Sequence, residues 1–285
     1  MFNLPRDERS SVADWIELEL ALNKEIDTLS KATVASVIEQ QTGKAADEGL
    51  ITDIWRLLER RAQLYRVSPF SVEGNLVIRE ANVEISAPYL ACLFFSLYGV
   101  RTKRSDPKLL ERIAAHCIAE YLGGKSYVFG WPPMNDVPTK IPKRIEDIAA
   151  RMHERLAEYP ADKYKDRGVD VVSWKPFKEE GNGDHRSGQV VILSQCAAGQ
   201  DWAKKKGDVP LRAWEQYIHW ANAPIRGFVV PGVIQDENWH DTSVDCGVVF
   251  DRARICNYLP NPFPDPDLLA SIRTWVADEE AEARS

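Results

Sequence analysis

Residues 168–206 read GVDVVSWKPFKEEGNGDHRSGQVVILSQCAAGQDWAKKK, and this stretch decides the fold. A valine-rich run that ends in tryptophan occupies residues 169–174, and a second β-rich run occupies residues 189–196. Both runs have the composition of β-strands. The connection over residues 179–188 is polar and rich in glycine, which predicts a loop between two adjacent strands.

Two polar side chains lie at corresponding ends of these predicted strands. Asp170 is on the first strand, and Gln195 is at the exit of the second. Because pairing of the strands would bring both side chains to one end of a sheet, we expect a functional site there. The structural alternatives are that Asp170 pairs with an arginine or lies beside a turn, and that Gln195 is a hydrogen-bonded amide at a strand end.

The composition is that of a protein with a buried core and without membrane segments. The 285 residues are 44% hydrophobic, and no apolar run reaches the roughly 18 residues that a membrane-spanning helix needs. The N-terminus lacks the apolar segment of a signal peptide, so we expect a soluble, cytoplasmic protein. Five cysteines without a CxxC spacing indicate neither a disulfide framework nor a zinc site.

The charge distribution bears on nucleic-acid binding. A net charge of −7 disfavours a non-specific binder, because phosphate contacts need a cationic surface. Basic clusters nevertheless recur in the second part of the chain, and each cluster alone has the character of a solvated helix end or loop. Convergence on one cleft does not follow from the sequence. The clusters occupy residues 101–104, 140–144, 163–167 and 204–206.

Helical and strand-like patterns divide the chain into two predicted domains. Residues 1–103 form a helical domain, and residues 104–285 form an α/β or α+β domain in which helices flank a mixed sheet. The boundary falls in the polar, basic stretch 101–107. In the first domain, helices are predicted over residues 11–23, 30–40, 46–65 and 87–100, the last one buried, with an extended piece over 75–80. In the second, helices are predicted over residues 107–122, 143–158, from 201 or 210 to 221, and 267–281, and further strands over 126–130, 227–234 and 248–256.

The segments DVVSWKPF, GQVVILSQCAAGQDW and VVFDRARI carry a family resemblance. A helix that bears Glu111 and ends in two glycines precedes them, and lysines follow the SQCAAG turn. This order resembles the PD-(D/E)XK restriction-endonuclease superfamily, in particular its Mrr-like branch, in which glutamine replaces the second acid. The segments are also similar to an uncharacterised group of bacterial restriction-endonuclease-like proteins. The resemblance covers residues 106–255.

The resemblance implies a set of metal ligands. Asp170 would be the motif aspartate that binds Mg²⁺ or Mn²⁺, and Gln195 would contribute an amide oxygen from the neighbouring strand. Glu111 would be the acid that the preceding helix often adds, although without the resemblance it is more typical of a surface residue. Such hard oxygen ligands suit Mg²⁺, which keeps several waters. The metal would lower the pKa of a bound water and neutralise charge on the phosphate.

The sequence departs from the family motif at its lysine. The motif places a lysine two residues after Gln195, where this chain has Ala197. A variant of the superfamily moves the lysine to the following helix, and Lys204 and Lys205 are the candidates there. Lys205 is preferred because it lies three residues after Trp202, and a buried tryptophan would direct that side of the helix towards the sheet.

The expected function is that of a divalent-metal-dependent nuclease that hydrolyses DNA. A role in bacterial restriction or antiphage defence follows from the resemblance alone. The first alternative is a nuclease fold that has lost catalysis and serves as a binding or regulatory subunit, which Ala197 and the acidic charge balance favour. The second is a hydrolase that uses the thiol of Cys196 with His185 or His219, although no protease-like local signature surrounds this cysteine.

The expected partners are DNA and a protein. Trp131 or Trp174 could stack on a base, as aromatic side chains do in proteins that bind single strands. The first hundred residues have an acidic charge balance and contain many aromatic side chains. This part therefore suits docking to another protein, to a second copy of the chain, or to the nuclease part itself, better than contact with DNA.

Overall fold

The protein has an α+β architecture, in which helices flank a five-stranded mixed sheet. The predicted α+β class is therefore confirmed. Among the described residues, no helix is both long enough and apolar enough to cross a membrane. The structure is a computed structural model, and it describes residues 1–2, 4, 8–99, 108–161, 163–177, 184–199 and 201–284.

The first part of the chain combines helices with a small antiparallel sheet. Its helices are α1 (Arg9–Leu22), α2 (Lys31–Thr42), α3 (Glu48–Leu64) and α4 (Ala87–Tyr98), and its strands are β1 (Thr28–Ser30), β2 (Phe70–Glu73) and β3 (Leu76–Arg79). The strands pair in the order β1, β3, β2. The helices and β3 agree with the prediction. β1 and β2 are too short to give a readable alternation of apolar and polar residues, so the sequence does not predict them.

The second part of the chain contains the main sheet. Its helices are α5 (Lys108–Leu122), α6 (Ile141–Arg151), α7 (Leu211–Tyr217), α8 (Asp236–Cys246), α9 (Arg252–Tyr258) and α10 (Pro266–Ala283). Its strands are β4 (Lys125–Val128), β5 (Arg155–Leu156), β6 (Val171–Lys175), β7 (Val190–Cys196), β8 (Ile218–His219), β9 (Ile225–Val229) and β10 (Val248–Phe250). The sheet order is β10, β9, β7, β6, β4, and β5 pairs separately with β8. β6 pairs antiparallel with both β4 and β7. β9 pairs parallel with both β7 and β10.

The two predicted central strands are confirmed as β6 and β7. They pair antiparallel from Val171 opposite Ser194 to Lys175 opposite Val190. The backbone N–H of Asp170 also donates to Ser194 O at 2.8 Å, so the contact extends one residue beyond β6. Part of the predicted loop between the strands, residues 178–183, lies outside the described residues.

Both faces of the five-stranded sheet are buried. Val171 and Ile192 belong to a core that includes α5, and Val172 and Leu193 belong to a second core with α6 and α7. Helix α5 packs directly against β4 and β6. Burial on two faces explains why the strands are apolar runs without polar alternation.

The first part of the chain packs onto the second through a shared hydrophobic core. Helix α4 contacts α1 and α10, and Phe95 stacks on Trp275 with 4.5 Å between ring centroids. The prediction of a buried helix over 87–100 is confirmed for its described residues. The first part thus docks on the second part of the same chain, which is one of the partners expected for it. The predicted boundary over 101–107 lies outside the described residues.

A buried ion network also joins the two parts. Asp14 and Glu17 of α1 each accept hydrogen bonds from Arg61 of α3 and from Arg252 of α9, at 2.7–2.9 Å. None of the four side chains is more than 4% exposed. Two guanidinium groups and two carboxylates balance in charge, so each buried ion is compensated by the others.

Three predicted elements end earlier than the sequence indicates. The strand predicted over residues 227–234 ends at Val229. Helix α6 ends at Arg151 rather than near residue 158, and the remaining segment forms β5 against β8. The strand predicted over 248–256 ends at Phe250. Asp251 then caps α9, because its carboxylate accepts from the backbone N–H of Arg254 at 3.1 Å. A capping aspartate after a short apolar run is a helix-start signal that outweighs the apolar character of the segment.

Two other parts of the second half differ from the prediction. The helix expected from 201 or 210 to 221 is instead a single 3₁₀ turn, Trp202–Lys205, followed by α7 and β8. The sequence does not predict α8, since DENWHDTSVDC has no apolar residues at helical spacing.

The buried ion network yields a prediction on stability. Arg252→Met should lower the free energy of unfolding by about 3–5 kcal/mol, because Asp14 and Glu17 would keep only one of their two buried cations. Urea unfolding followed by circular dichroism measures this change.

A matched control also crosses between the two parts of the chain. Arg60 of α3 pairs with Asp236 at 2.7 Å, but these side chains are 47% and 60% exposed. Arg60→Met should therefore cost less than about 1 kcal/mol. Equal losses for Arg252→Met and Arg60→Met would contradict the role given to the buried network.

Candidate functional site

The candidate site lies beside the start of α5, where β4 and β7 of the main sheet end and β6 begins. Asp170 directly precedes β6, Cys196 ends β7, and Gly130 follows β4. The backbone N–H groups of Phe129 and Gly130 both donate to Asp170 O, at 2.7 and 3.0 Å. Glu111 lies in the first turn of α5 above this point.

Two of the predicted ligands converge beside Gly130. A Cβ atom on Gly130 would overlap Glu111 Oε2 and would lie 2.7 Å from Asp170 Oδ1. Both oxygens therefore occupy the space that a side chain at position 130 would take. Only glycine leaves room for two carboxylates here.

Each carboxylate is also held by a hydrogen bond. Asp170 Oδ2 accepts from the backbone N–H of Cys196 at 2.8 Å. Glu111 Oε2 accepts from Lys108 Nζ at 2.6 Å. The two acids are thus fixed from different elements, one from β7 and the other from within α5.

Burial makes both carboxylates difficult to ionise. Burial and the nearby charge of Asp170 raise the pKa of Glu111 to about 8, against the opposing charge of Lys108. Burial also raises the pKa of Asp170 to about 6, and the hydrogen bond from Cys196 opposes this rise. A bound cation would favour the ionised form of both groups. Two adjacent acids in this state form a site that is suited to a positive ion.

The lysines that follow β7 differ in their surroundings. Lys205 contributes positive charge at Asp170, where it opposes the rise in pKa that burial causes. Lys204 Nζ instead pairs with the exposed Asp201 at 2.8 Å, and Lys206 lies over the ring of Trp202. Trp202 is half-buried in a 3₁₀ turn, and not the buried first-turn residue of a helix as predicted.

Gln195 and Ala197 complete the predicted motif. The amide Nε2 of Gln195 lies 3.5 Å from Asp208 Oδ2, at the long limit of a hydrogen bond. Among the described contacts, the amide is therefore bonded to Asp208 and not to Asp170 or Glu111. Ala197 is fully buried in a small apolar core, so the motif position that usually carries lysine points into the protein.

Two residues of the site are absent from the sequence prediction. Lys108 stands three positions before Glu111 on α5, a spacing that places both on one helix face and could have been noticed. Asp166 accepts from the backbone N–H groups of Trp131 and Gly168, and its charge raises the pKa of both Glu111 and Asp170. Asp166 lies in an irregular loop and carries no periodic signal.

A cationic and aromatic surface borders the site through Asp166. Trp131 is 39% exposed, and the exposed Lys165 lies over its ring at 5.7 Å. The buried Arg144 lies 5.8 Å from the ring centroid and is not part of the surface. Trp174, the other tryptophan considered for base stacking, is only 4% exposed. Of the two, only Trp131 presents a ring to solvent. The basic cluster at 101–104 lies outside the described residues.

The donor set fits one class of metal. Within the described ranges, no group of three or more His, Cys, Asp or Glu side chains is placed to hold a metal ion. Two carboxylates therefore do not make a closed zinc-type site. They do fit Mg²⁺ or Mn²⁺, which take one or two carboxylates and fill the remaining positions with water and substrate oxygens.

Comparison with known proteins gives little further guidance. No protein-family model matches the chain, and no curated protein matches it. Among solved structures, the chain is similar to the restriction endonuclease FokI, with 8% sequence identity and a TM-score of 0.22. The alignment covers 94% of this chain and 44% of that chain, so this chain spans less than half of its length. A similarity of this degree carries no argument about function.

The convergence beside Gly130 yields a prediction on metal binding. Gly130→Ala should weaken Mn²⁺ binding by about 10-fold or more, because the added methyl group displaces both carboxylates. Isothermal titration calorimetry measures the affinity. Gly199→Ala is the control, since its Cβ would approach only Asp201 N, at 4.0 Å. Wild-type affinity in Gly130→Ala would show that the carboxylates do not bind the ion together.

The raised pKa values yield a prediction on pH. The pKa of Glu111 rises from 4.5 to about 8 on folding, and that of Asp170 from 3.8 to about 6. Between these values the folded protein holds more protons than the unfolded chain, so stability should fall as pH rises from about 4 to 8. In EDTA, the melting temperature should therefore decrease over this range, and Mn²⁺ should restore it more at pH 8 than at pH 5.

The control for this pH dependence is the double variant Glu111→Gln, Asp170→Asn. It carries no titrating carboxyl at the site, so its melting temperature should depend less on pH. A double variant with the pH profile of the wild type would contradict the assignment of that dependence to these two residues.

Proposed function

We propose that this protein is a divalent-metal-dependent nuclease that hydrolyses phosphodiester bonds in DNA. The observation that carries the proposal is the convergence of the Glu111 and Asp170 carboxylates at one point beside Gly130. The order of the surrounding elements supports it. A helix with an acid is followed by three antiparallel strands and then a parallel strand, in the arrangement that the PD-(D/E)XK resemblance implies.

Asp170 and Glu111 are the proposed ligands of Mg²⁺ or Mn²⁺. Gln195 is the third, because its contact with Asp208 through the nitrogen end leaves the oxygen end of the amide for the ion. When bound, the metal supplies a water of lowered pKa and a positive charge beside the phosphate. The protein's own contribution is to hold these oxygens in fixed positions and to keep the carboxylates in a half-buried site.

Lys205 is the proposed contact to the substrate phosphate. Its side chain is exposed and its charge reaches Asp170, so it can approach a phosphate that lies over the site. The surface around Trp131 is the proposed path of the nucleic acid. There the ring can stack on a base while Lys165 contacts the backbone. These local cations offset the overall charge of −7.

A second candidate function is a nuclease fold without catalysis. Ala197, at the position of the motif lysine, favours it. The thiol-hydrolase alternative is not supported, because burial raises the pKa of Cys196 well above its ordinary range and keeps the thiol protonated. Among the described contacts, neither candidate histidine pairs with Cys196. His185 contacts His153, and His219 lies on β8.

The biological setting stays a prediction. A role in bacterial restriction or antiphage defence, a cytoplasmic location, and a protein partner or second copy bound through the first part of the chain follow from the sequence interpretation. The choice of DNA over RNA follows from the same resemblance.

Cleavage of supercoiled plasmid DNA tests the proposed function. The wild type should nick or linearise the plasmid with Mg²⁺ or Mn²⁺ and should be inactive in EDTA. Asp170→Asn and Glu111→Gln should each reduce the rate by about 100-fold or more, because each removes a charged ligand. Gel electrophoresis over a time course measures the rates.

Adjacent lysines provide a matched pair for the same assay. Lys205→Met should weaken cleavage mainly through a higher KM for DNA, whereas Lys204→Met should resemble the wild type, since Lys204 pairs with the exposed Asp201. If no preparation cleaves DNA while Mn²⁺ still binds, the subunit alternative is favoured. Cleavage by Asp170→Asn at the wild-type rate would contradict the site assignment.

A further inference from the structure

A lysine is buried at the start of α5, against the proposed metal ligands. Lys108 Nζ lies 2.6 Å from Glu111 Oε2, and the two side chains are only 10% and 8% exposed. Burial of an ammonium group is costly unless a counter-charge lies beside it. Glu111 Oε2 accepts a hydrogen bond from this group, so the lysine is held within the site and does not extend into solvent.

The position of this ammonium group is set by the carboxylate pair. The oxygen of Glu111 that accepts from Lys108 is the same Oε2 that lies with Asp170 Oδ1 beside Gly130. The charge of Lys108 also acts on Asp170 and on Cys196, where it opposes the rise in pKa that burial causes. One cation therefore acts on both proposed metal ligands.

The motif position that usually supplies such a cation cannot supply it in this chain. The residue two positions after Gln195 is Ala197, which is fully buried among Phe228, Val249 and other apolar side chains. A lysine there would place its ammonium group in an apolar core. The cation of the site must therefore come from another element, and among the described residues Lys108 contacts a carboxylate of the pair.

We propose that Lys108 is the catalytic lysine of this site and replaces the motif lysine from the opposite side, from α5 instead of from β7. This inference rests on the proposed nuclease function. Lys108 donates hydrogen bonds to the attacking water and to a non-bridging phosphate oxygen. The water oxygen forms a bond to phosphorus while the bond from phosphorus to the leaving oxygen breaks. The water loses a proton to solvent and the leaving oxygen gains one.

The proposal assigns different tasks to the two lysines near Asp170. Lys108 is buried and adjoins the reacting atoms, so its loss should lower kcat with little change in KM. Lys205 is exposed and meets the substrate from outside, so its loss should raise KM. If the ion pair between Lys108 and Glu111 were only structural, the loss of Lys108 would lower stability. The two lysine variants would then not differ in whether kcat or KM changes.

A second measurement separates a catalytic cation from a structural one. A positive charge beside two carboxylates opposes binding of a metal ion, so Lys108→Met should bind Mn²⁺ more tightly than the wild type, by about 10-fold. A lysine that only supports the fold would have the opposite effect, because its loss would disorder Glu111 and weaken metal binding. Lys108→Arg keeps the charge and should bind Mn²⁺ like the wild type.

The chain contains a matched control for the ion pair. Lys143 of α6 pairs with Glu146 at the same spacing and the same distance of 2.6 Å, but its side chain is 67% exposed. Lys143→Met removes an equivalent helical Lys–Glu pair on a different helix from Glu111. It should leave both kcat and Mn²⁺ affinity unchanged.

The experiment measures plasmid cleavage, Mn²⁺ affinity by calorimetry and melting temperature for the wild type, Lys108→Met, Lys108→Arg and Lys143→Met. We expect Lys108→Met to lose about 100-fold or more in kcat while it gains Mn²⁺ affinity, and Lys108→Arg to recover part of the rate. A Lys108→Met variant that cleaves at the wild-type rate, or that binds Mn²⁺ no more tightly, overturns the proposal while the nuclease function stands. A wild type that binds Mn²⁺ without cleaving DNA overturns the nuclease function itself, and the catalytic role of Lys108 with it.

Discussion

The arrangement of the site depends on the hydrogen bonds of a single residue, Asp170. Its backbone N–H donates to Ser194, its carbonyl accepts from Phe129 and Gly130, and its carboxylate accepts from the N–H of Cys196. These bonds reach the ends of β4 and β7 from the start of β6. The carboxylate is therefore positioned by three strands at once, and any shift of one strand would move it. Such positioning on rigid elements is what a preorganised site requires.

Two separate clusters of buried charged side chains differ in their balance of charge. One cluster, around Arg61 and Arg252, is balanced in charge and joins α1, α3 and α9. The other, around Glu111 and Asp170, contains more acid than base, and burial holds its pKa values high. The first cluster can only stabilise the fold, because its charges are already satisfied. The second has an excess of acidic groups over Lys108, which is why it is the proposed cation site and the expected source of pH dependence.

The sequence predicts the parts of this structure that depend on local pattern. The hairpin of β6 and β7, the placement of Asp170 at its end and the helix that carries Glu111 all follow from apolar runs and turn residues. The preference for Lys205 stays a prediction, and the helix expected to carry it is a 3₁₀ turn. The contacts of Arg252 could not be predicted, since a buried pairing between residues distant in the chain has no local signature. The three-residue spacing of Lys108 and Glu111 was readable, but it does not show that the pair is buried. The short strands and the polar helix α8 could not be predicted because they lack a readable pattern of apolar residues.

The buried network at Arg252 limits how this sheet can be used outside its own chain. Arg252 begins α9, two residues after the last strand of the main sheet, and its counter-charges Asp14 and Glu17 belong to α1. Truncation of the first hundred residues would leave a guanidinium group unbalanced inside the protein and would uncover the apolar side of α10. The second part of the chain is therefore not a portable module. Recombination that grafts it onto another protein would have to supply an acidic, apolar surface in place of the one it lost.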